Sequence, residues 1–377
     1  MPIIIWCGFV KYNVANRHIS ILFNWYIIMN FTTLVELPKG LPPITHARQL
    51  LLLGSCFAEN IGNLLKDNFF RCDINPFGIL YNPLSVSEAL RQILSGKTYT
   101  TSDLFFFRDC WHSAMHHGAF SAALPNDVLQ NINTRLQQAH ARIKDVDWLL
   151  LTWGTAWVYE QGENKRIVSN CHKQPEKLFV RRKLTVEEIV KEYTCLLREL
   201  REQNPGLKVL LTVSPIRHIR DGMHANQISK ATLLLATEQL QTLFPEFVFY
   251  FPSYEIVLDE LRDYRFYADD MLHPSPVAIR YLWERFSEAF FSDETKKIME
   301  ECESIRKAQA HRPFHPGSEE HKRFLGQIVL KIERLNRKYP YLEFEYCRNN
   351  MPMCQLAALY FPKICRMVHW HICTLLN

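Results

Sequence analysis

Uninterrupted apolar runs, separated by helical stripes, constrain this chain more than anything else in it. Leu50-Leu51-Leu52-Leu53, Trp148-Leu149-Leu150-Leu151-Thr152-Trp153, Val209-Leu210-Leu211-Thr212-Val213 and Phe247-Val248-Phe249-Tyr250-Phe251 show no in-and-out alternation. Strands of that composition are buried on both faces, as in a parallel sheet covered by helices. The segments between them carry apolar residues at helix spacing. The clearest is Val186, Ile189, Val190, Tyr193, Leu196, Leu197 and Leu200, ended by Pro205-Gly206. Strand and helix in alternation, joined by right-handed crossovers, predict an α/β domain of three layers, α/β/α, with a central, mostly parallel sheet. Sites in such sheets lie at the C-terminal ends of strands, and Ser55, Gly154, Ser214 and Pro252 all follow predicted strands there.

The first run stops at Gly54-Ser55, and Phe57, Ile61, Leu64 and Leu65 then recur at helix spacing. Ser55 therefore stands at a strand-to-helix turn, beside N–H groups with no partner inside the helix. Those groups carry partial positive charge, so an oxyanion formed next to Ser55 would be stabilised there. Two roles are open to the serine, helix cap and nucleophile, and capping serines are the more numerous.

Far downstream, Tyr267-Ala268-Asp269-Asp270-Met271-Leu272-His273-Pro274-Ser275 holds an Asp-x-x-His spacing. On one tight loop, the Asp270 carboxylate reaches one imidazole nitrogen of His273. The other nitrogen is left to take a proton from a hydroxyl. Pro274 disfavours helix at His273 and suits a first helical position. Val277, Ala278, Tyr281, Leu282, Phe286, Ala289 and Phe290 form the apolar stripe of the helix that follows.

Gly54-Ser55-Cys56-Phe57-Ala58 resembles the signature of the GSCFA domain family, within the SGNH, or GDSL-like, hydrolase superfamily. Leu151 to Tyr159, Asn170-Cys171-His172-Lys173, Val213 to His218, and Asp263 to Tyr267 running into the Asp-x-x-His resemble the same family, in the same order. The resemblance runs from about Phe31 to about Phe291 and implies a sheet with flavodoxin-like winding. It also implies Ser55 as nucleophile, His273 as general base and Asp270 as the group that orients it. The chain departs from the superfamily pattern in two places. Gly54-Ser55-Cys56 stands where Gly-Asp-Ser is common, and Gly154-Thr155-Ala156-Trp157 stands where Gly-x-Asn-Asp would supply an oxyanion-binding asparagine. Asn170 or Asn82, after Gly78, can supply that amide, and the sequence does not choose between them. The oxyanion and substrate-binding set is thus Gly78, Asn82, Gly154, Asn170, His172 and His218.

Composition agrees with a soluble, enzyme-sized domain: 377 residues, 47% hydrophobic and 22% charged, with a net charge of +5. Arg181-Arg182-Lys183 is a tight basic run and reads as a solvated loop; no nucleic-acid partner is expected. The 11 cysteines are odd in number and irregular in spacing, which suits reduced thiols in a cytoplasm. Cys56 at a helix start is a rival nucleophile, but Ser55 holds the family's position. Cys171 beside His172 invites a cysteine-protease reading, which adjacent side chains pointing apart oppose. His112 and His116, in Trp111 to His117, stand one helical turn apart, but that segment has no acidic residue to complete a metal site. Arg217 and His218, past a strand end, either hold an anionic part of a substrate or pair with Asp221.

Residues 1–28 read as an extension outside the domain, too interrupted by Lys11, Asn13, Asn16, Arg17 and His18 for a stable membrane span, and Met29 as the translation start. Residues 29–292 form the GSCFA, SGNH-like catalytic domain. A C-terminal helical extension follows over 293–345, with Ile328, Ile332 and Leu335 packing back onto the domain. Residues 346–377 are a tail of undetermined order with Cys347, Cys354, Cys365 and Cys373 beside His369 and His371, whose spacings fit no standard zinc finger. The expectation for the whole is a Ser-His-Asp hydrolase that cleaves an O-acyl ester on a small molecule, a glycan or a lipid through an acyl-enzyme, with no metal or organic cofactor. Two alternatives accompany it: an O-acyltransferase with the same residues, and a catalytically silent carbohydrate-binding module. The sequence does not decide an oligomeric state.

Overall fold

The computed structural model describes residues 32–162, 165–310, 315 and 318–342; the readings of residues 1–28, of Met29 and of the cysteine-rich segment 346–377 lie outside them. The four apolar runs form strands β1 (Gln49–Gly54), β3 (Trp148–Trp153), β4 (Lys208–Val213) and β5 (Val248–Tyr250), and Arg71–Ile74, which carries two charges, forms β2. They build one five-stranded sheet in the order β2-β1-β3-β4-β5, with every pairing parallel. This is the flavodoxin-like order, in which the winding reverses beside β1.

Helices α1 (Cys56–Asp67), α2 (Pro83–Ser95), α3 (Pro125–Arg142), α4 (Val186–Gln203), α5 (Gly222–Leu243) and α6 (Pro276–Phe290) cover both faces. Alternate residues of one strand serve the two layers. Leu51 and Leu53 pack with Leu149, Leu151 and the apolar sides of α2 to α5, whereas Leu50 and Leu52 pack with Trp148, Leu150 and the sides of α1 and α6. That is why β1 reads as unbroken leucine. Local signals fix the helix starts: Thr185 and Glu188 form a reciprocal capping box on α4. Ser275 caps α6 through Ala278 N–H, so Pro276, and not Pro274, takes the first helical position.

Two antiparallel insertions lie outside the main sheet. Leu104–Phe107 pairs with Cys110–Ser113, and Trp157–Gln161 pairs with both Arg166–Val168 and Phe179–Lys183. The basic run Arg181-Arg182-Lys183 is therefore strand and not solvated loop. Arg181 lies 4.6 Å from the Trp157 ring centre and pairs with Asp221, while Arg182 pairs with Glu160 and Glu188. His112 lies in a strand too, so the spacing of His112 and His116 is not a helical turn. Among the described residues no group of three or more His, Cys, Asp or Glu is placed to hold a metal. No described helix is long and apolar enough to cross a membrane.

Two further helices, α7 (Asp293–Ala310) and α8 (Glu319–Lys338), follow the sheet. Ile328, Ile332 and Leu335 face α7, where they form a separate small core with Ile298, Cys302 and Ile305. Phe69, in the α1–β2 turn, packs at its edge.

Candidate active site

Ser55, Gly154 and Ser214 immediately follow β1, β3 and β4 on one edge of the sheet, and Pro252 lies just past β5. At Ser55 the backbone is extended and the hydroxyl accepts Phe57 N–H at 3.3 Å, so the serine stands in capping posture, fully buried. Its own N–H donates to Thr152 O at 3.2 Å. Cys56 beside it is a poor nucleophile, because burial pushes its thiol pKa up.

The Asp-x-x-His segment closes on itself. Ala268 N–H donates to His273 O at 2.7 Å, and Met271 takes a left-handed conformation with φ 58°. Within this loop, Asp270 Oδ1 accepts the N–H groups of Leu272 and His273 at 2.9 and 3.0 Å, while Oδ2 lies 2.5 Å from His273 Nδ1. The backbone N–H groups of His273 and Leu272, with the imidazole, hold the Asp270 pKa down to about 2. The imidazole is thus gripped at Nδ1 by an anion that is fixed by its own loop. Both side chains are about half exposed, at 50% and 46%. Arg217 N–H donates to Leu272 O at 3.2 Å, which ties this loop to the one after β4. Among the described residues no hydrogen bond joins His273 to Ser55.

Between the two stands His218. A β-carbon on Gly154 would come within 3.0 Å of His218 Nε2, 3.2 Å of Tyr81 O and 3.6 Å of Ser55 Cβ, so glycine here lets imidazole, serine and the Tyr81 loop meet. Burial, followed by the charges of Lys230, His273 and Arg181, lowers the His218 pKa to about 3 and keeps the ring neutral. Its Nε2 is buried with no partner. Asp221 pairs with Arg181 rather than with Arg217 or His218, and Arg217 lies 4.0 Å from the Tyr267 ring centre.

A family model described as the GSCFA family matches residues 49–286, a span from the first strand of the sheet to α6. The chain belongs to the GSCFA family. A second model, the C-terminal domain of GSCFA domain proteins, matches residues 302–349. No curated protein matches the chain. Among solved structures, a carbohydrate esterase family 3 protein from Talaromyces cellulolyticus is similar at 11% identity and a TM-score of 0.30, over 67% of this chain and 98% of its own.

In this GSCFA domain the other expected binding residues separate. Gly154 N–H donates to Tyr81 O at 2.7 Å, and Gly78 N–H to Asn75 O at 2.7 Å, so both amides are engaged. The Asn82 side chain caps α2, accepting Ser85 N–H and donating to Ser85 Oγ. Asn170 Oδ1 accepts His172 N–H, and His172 Nε2 lies 2.8 Å from Ser113 O beside the His112 ring. Asn170 and His172 thus lie in a loop against the Cys110–Ser113 insertion strand, and burial pushes the Cys171 thiol up to about 11.

Lys230 escaped the sequence reading. It is buried on α5, and its Nζ donates to Gly154 O and Ser214 O, each at 2.6 Å, which clamps the ends of β3 and β4 together. The signal was present: Asn226, Lys230, Leu233, Thr237 and Leu240 share one helical phase, and a lysine in a core phase is rare.

Proposed function

We propose that this protein is an SGNH-type serine hydrolase that cleaves an O-acyl ester of a small molecule or glycan. Ser55 Oγ attacks the acyl carbon, His273 Nε2 receives the hydroxyl proton, and Asp270 holds the imidazole by Nδ1 and steadies the cation that forms. The same proton passes to the departing alkoxide, and water then releases the acyl group by the reverse sequence. The observation that supports this reading is the Asp270–His273 pair, at 2.5 Å in a self-closed loop tied to the loop after β4, on the same sheet edge as Ser55. To react, the Ser55 side chain turns from its cap on Phe57 N–H toward the imidazole; catalytic hydrogen bonds commonly form only in the substrate complex.

A fluorophosphonate probe tests the assignment. Labelling of the wild type at Ser55, lost in Ser55→Ala and in His273→Ala while both variants keep the wild-type melting temperature, is the expected result. Labelling that persists in Ser55→Ala removes the nucleophile from the proposal. Acetyl release from p-nitrophenyl acetate, measured with and without a sugar acceptor, then separates hydrolysis from transfer.

A further inference from the structure

Asn75 is held from three sides where β2 ends. Its N–H donates to Leu52 O at 2.8 Å, its carbonyl accepts Gly78 N–H at 2.7 Å, and its side-chain Oδ1 accepts Gly54 N–H at 2.9 Å. The backbone is left-handed, with φ 44°, a conformation that asparagine tolerates better than other residues with a side chain. The residue is 9% exposed, and its Nδ2 is buried with no partner. A fixed amide with one orphaned donor, bonded to the residue directly before Ser55, is costly to fold unless something accepts from it.

The amides expected to meet an oxyanion have partners already: Ser55 N–H has Thr152 O, Gly154 N–H has Tyr81 O and Gly78 N–H has Asn75 O. Of the other buried unpartnered nitrogens, Trp157 Nε1 and Arg181 Nε belong to the stacked pair on the insertion sheet, whereas His218 Nε2 stands at Gly154 beside Ser55, on an imidazole rather than an amide. We propose that Asn75 Nδ2 donates to the oxyanion that forms on an acyl group attacked by Ser55, in place of the asparagine absent at Ala156. This rests on Ser55 being the nucleophile. As the Ser55 oxygen bonds to the acyl carbon, its proton goes to His273 and the carbonyl pair moves onto oxygen, where Asn75 meets it. When that pair returns, the alkoxide leaves and takes the proton from His273. A donor fixed before the charge develops needs no reorganisation to stabilise it.

Asn75→Asp separates the two ends of the amide, since it keeps an oxygen for Gly54 N–H and removes the donor. Turnover of p-nitrophenyl acetate by Asn75→Asp and Asn75→Ala is expected to lose about 10²–10³-fold in kcat, with KM little changed. Affinity for phenylboronic acid, which forms a tetrahedral anion on a reactive serine, falls by a similar factor. In the wild-type protein, the Asn75 side-chain amide proton moves downfield on boronate binding, a readout that does not depend on either variant folding. If the wild type neither turns over ester nor takes up fluorophosphonate, the hydrolase reading itself fails. If the wild type is active but either folded variant matches its kcat, or the amide resonance stays put, Asn75 alone is excluded.

Discussion

Lys230 is an amine closed off from water, held between the ends of β3 and β4. Burial is the dominant influence on it, and the Lys230 pKa falls from 10.5 to about 7, with Cys56 as the opposing influence. Two carbonyls receive its hydrogen bonds, and a neutral amine has two N–H groups to give them. Cys56, neutral His218 and the Tyr254 ring, 5.7 Å from Nζ, are the groups that face it. The sign of its effect on stability follows from proton counting. Below about pH 7 folded and unfolded chains both hold the proton; from about 7 to 10.5 the unfolded chain holds it and the folded one does not, so folding becomes more favourable as pH rises through that window. Thermal melts of wild type and Lys230→Met across pH 6 to about 10.5 should therefore show the wild-type advantage growing above pH 7. A difference that stays flat would mean that the amine keeps its ordinary affinity for protons.

At the scale of elements, β1 and β3 approach so closely at Gly54 that no side chain fits. A β-carbon there would lie 2.1 Å from Thr152 O, and φ is +139°. Gly54→Ala is expected to lose the roughly 1–3 kcal/mol typical of strained backbone, with the clash adding to it. Gly40→Ala, at φ +69° with nothing within 4 Å, supplies the conformational cost without the collision. Urea unfolding of the two variants should place Gly54→Ala well below Gly40→Ala, and equal losses would refute the close approach. The edge strand β2, partly buried and interrupted by Arg71 and Asp73, was not legible, but the other four sheet strands were, because burial on both faces makes composition alone carry them. The insertion strands were not. In Phe179–Lys183 the charges hide the strand, and its reason for being one lies in partners far along the chain, Trp157 and Glu160. The candidate site divides in the same way. Ser55 and Asp270–His273 are marked by local spacing and the burial of Lys230 by its helical phase, whereas the carbonyls that Lys230 meets, the role of Asn75 and the meeting of His218 with Gly154 depend on contacts that no spacing encodes.

For the whole molecule, the cores differ in kind. The sheet shares its strands between two layers, so a change on either face is felt through the same hydrogen-bonded ladder. The α7–α8 pair has its own apolar centre, with Ile332 fully buried, and the turn holding Phe69 packs against that centre. Sequence periodicity located the α8 stripe but, beyond the contact with the domain at Phe69, missed α7 as its main partner, because an apolar face announces that it is covered without saying by what. The consequence is a difference in cooperativity. Ile332→Ala removes buried methyl groups from the small core and should cost about 2–5 kcal/mol there. If α7 and α8 open as a unit separate from the sheet, hydrogen exchange in that variant speeds up over Asp293–Ala310 and Glu319–Lys338, while Gln49–Gly54 and Trp148–Trp153 keep wild-type protection. Fluorophosphonate uptake, read on the same sample, should be unchanged, since neither helix contributes a residue to the Ser55 and His273 surroundings. Equal acceleration in β3 would show one cooperative body, with the helix pair bearing on the site through the turn that carries Phe69.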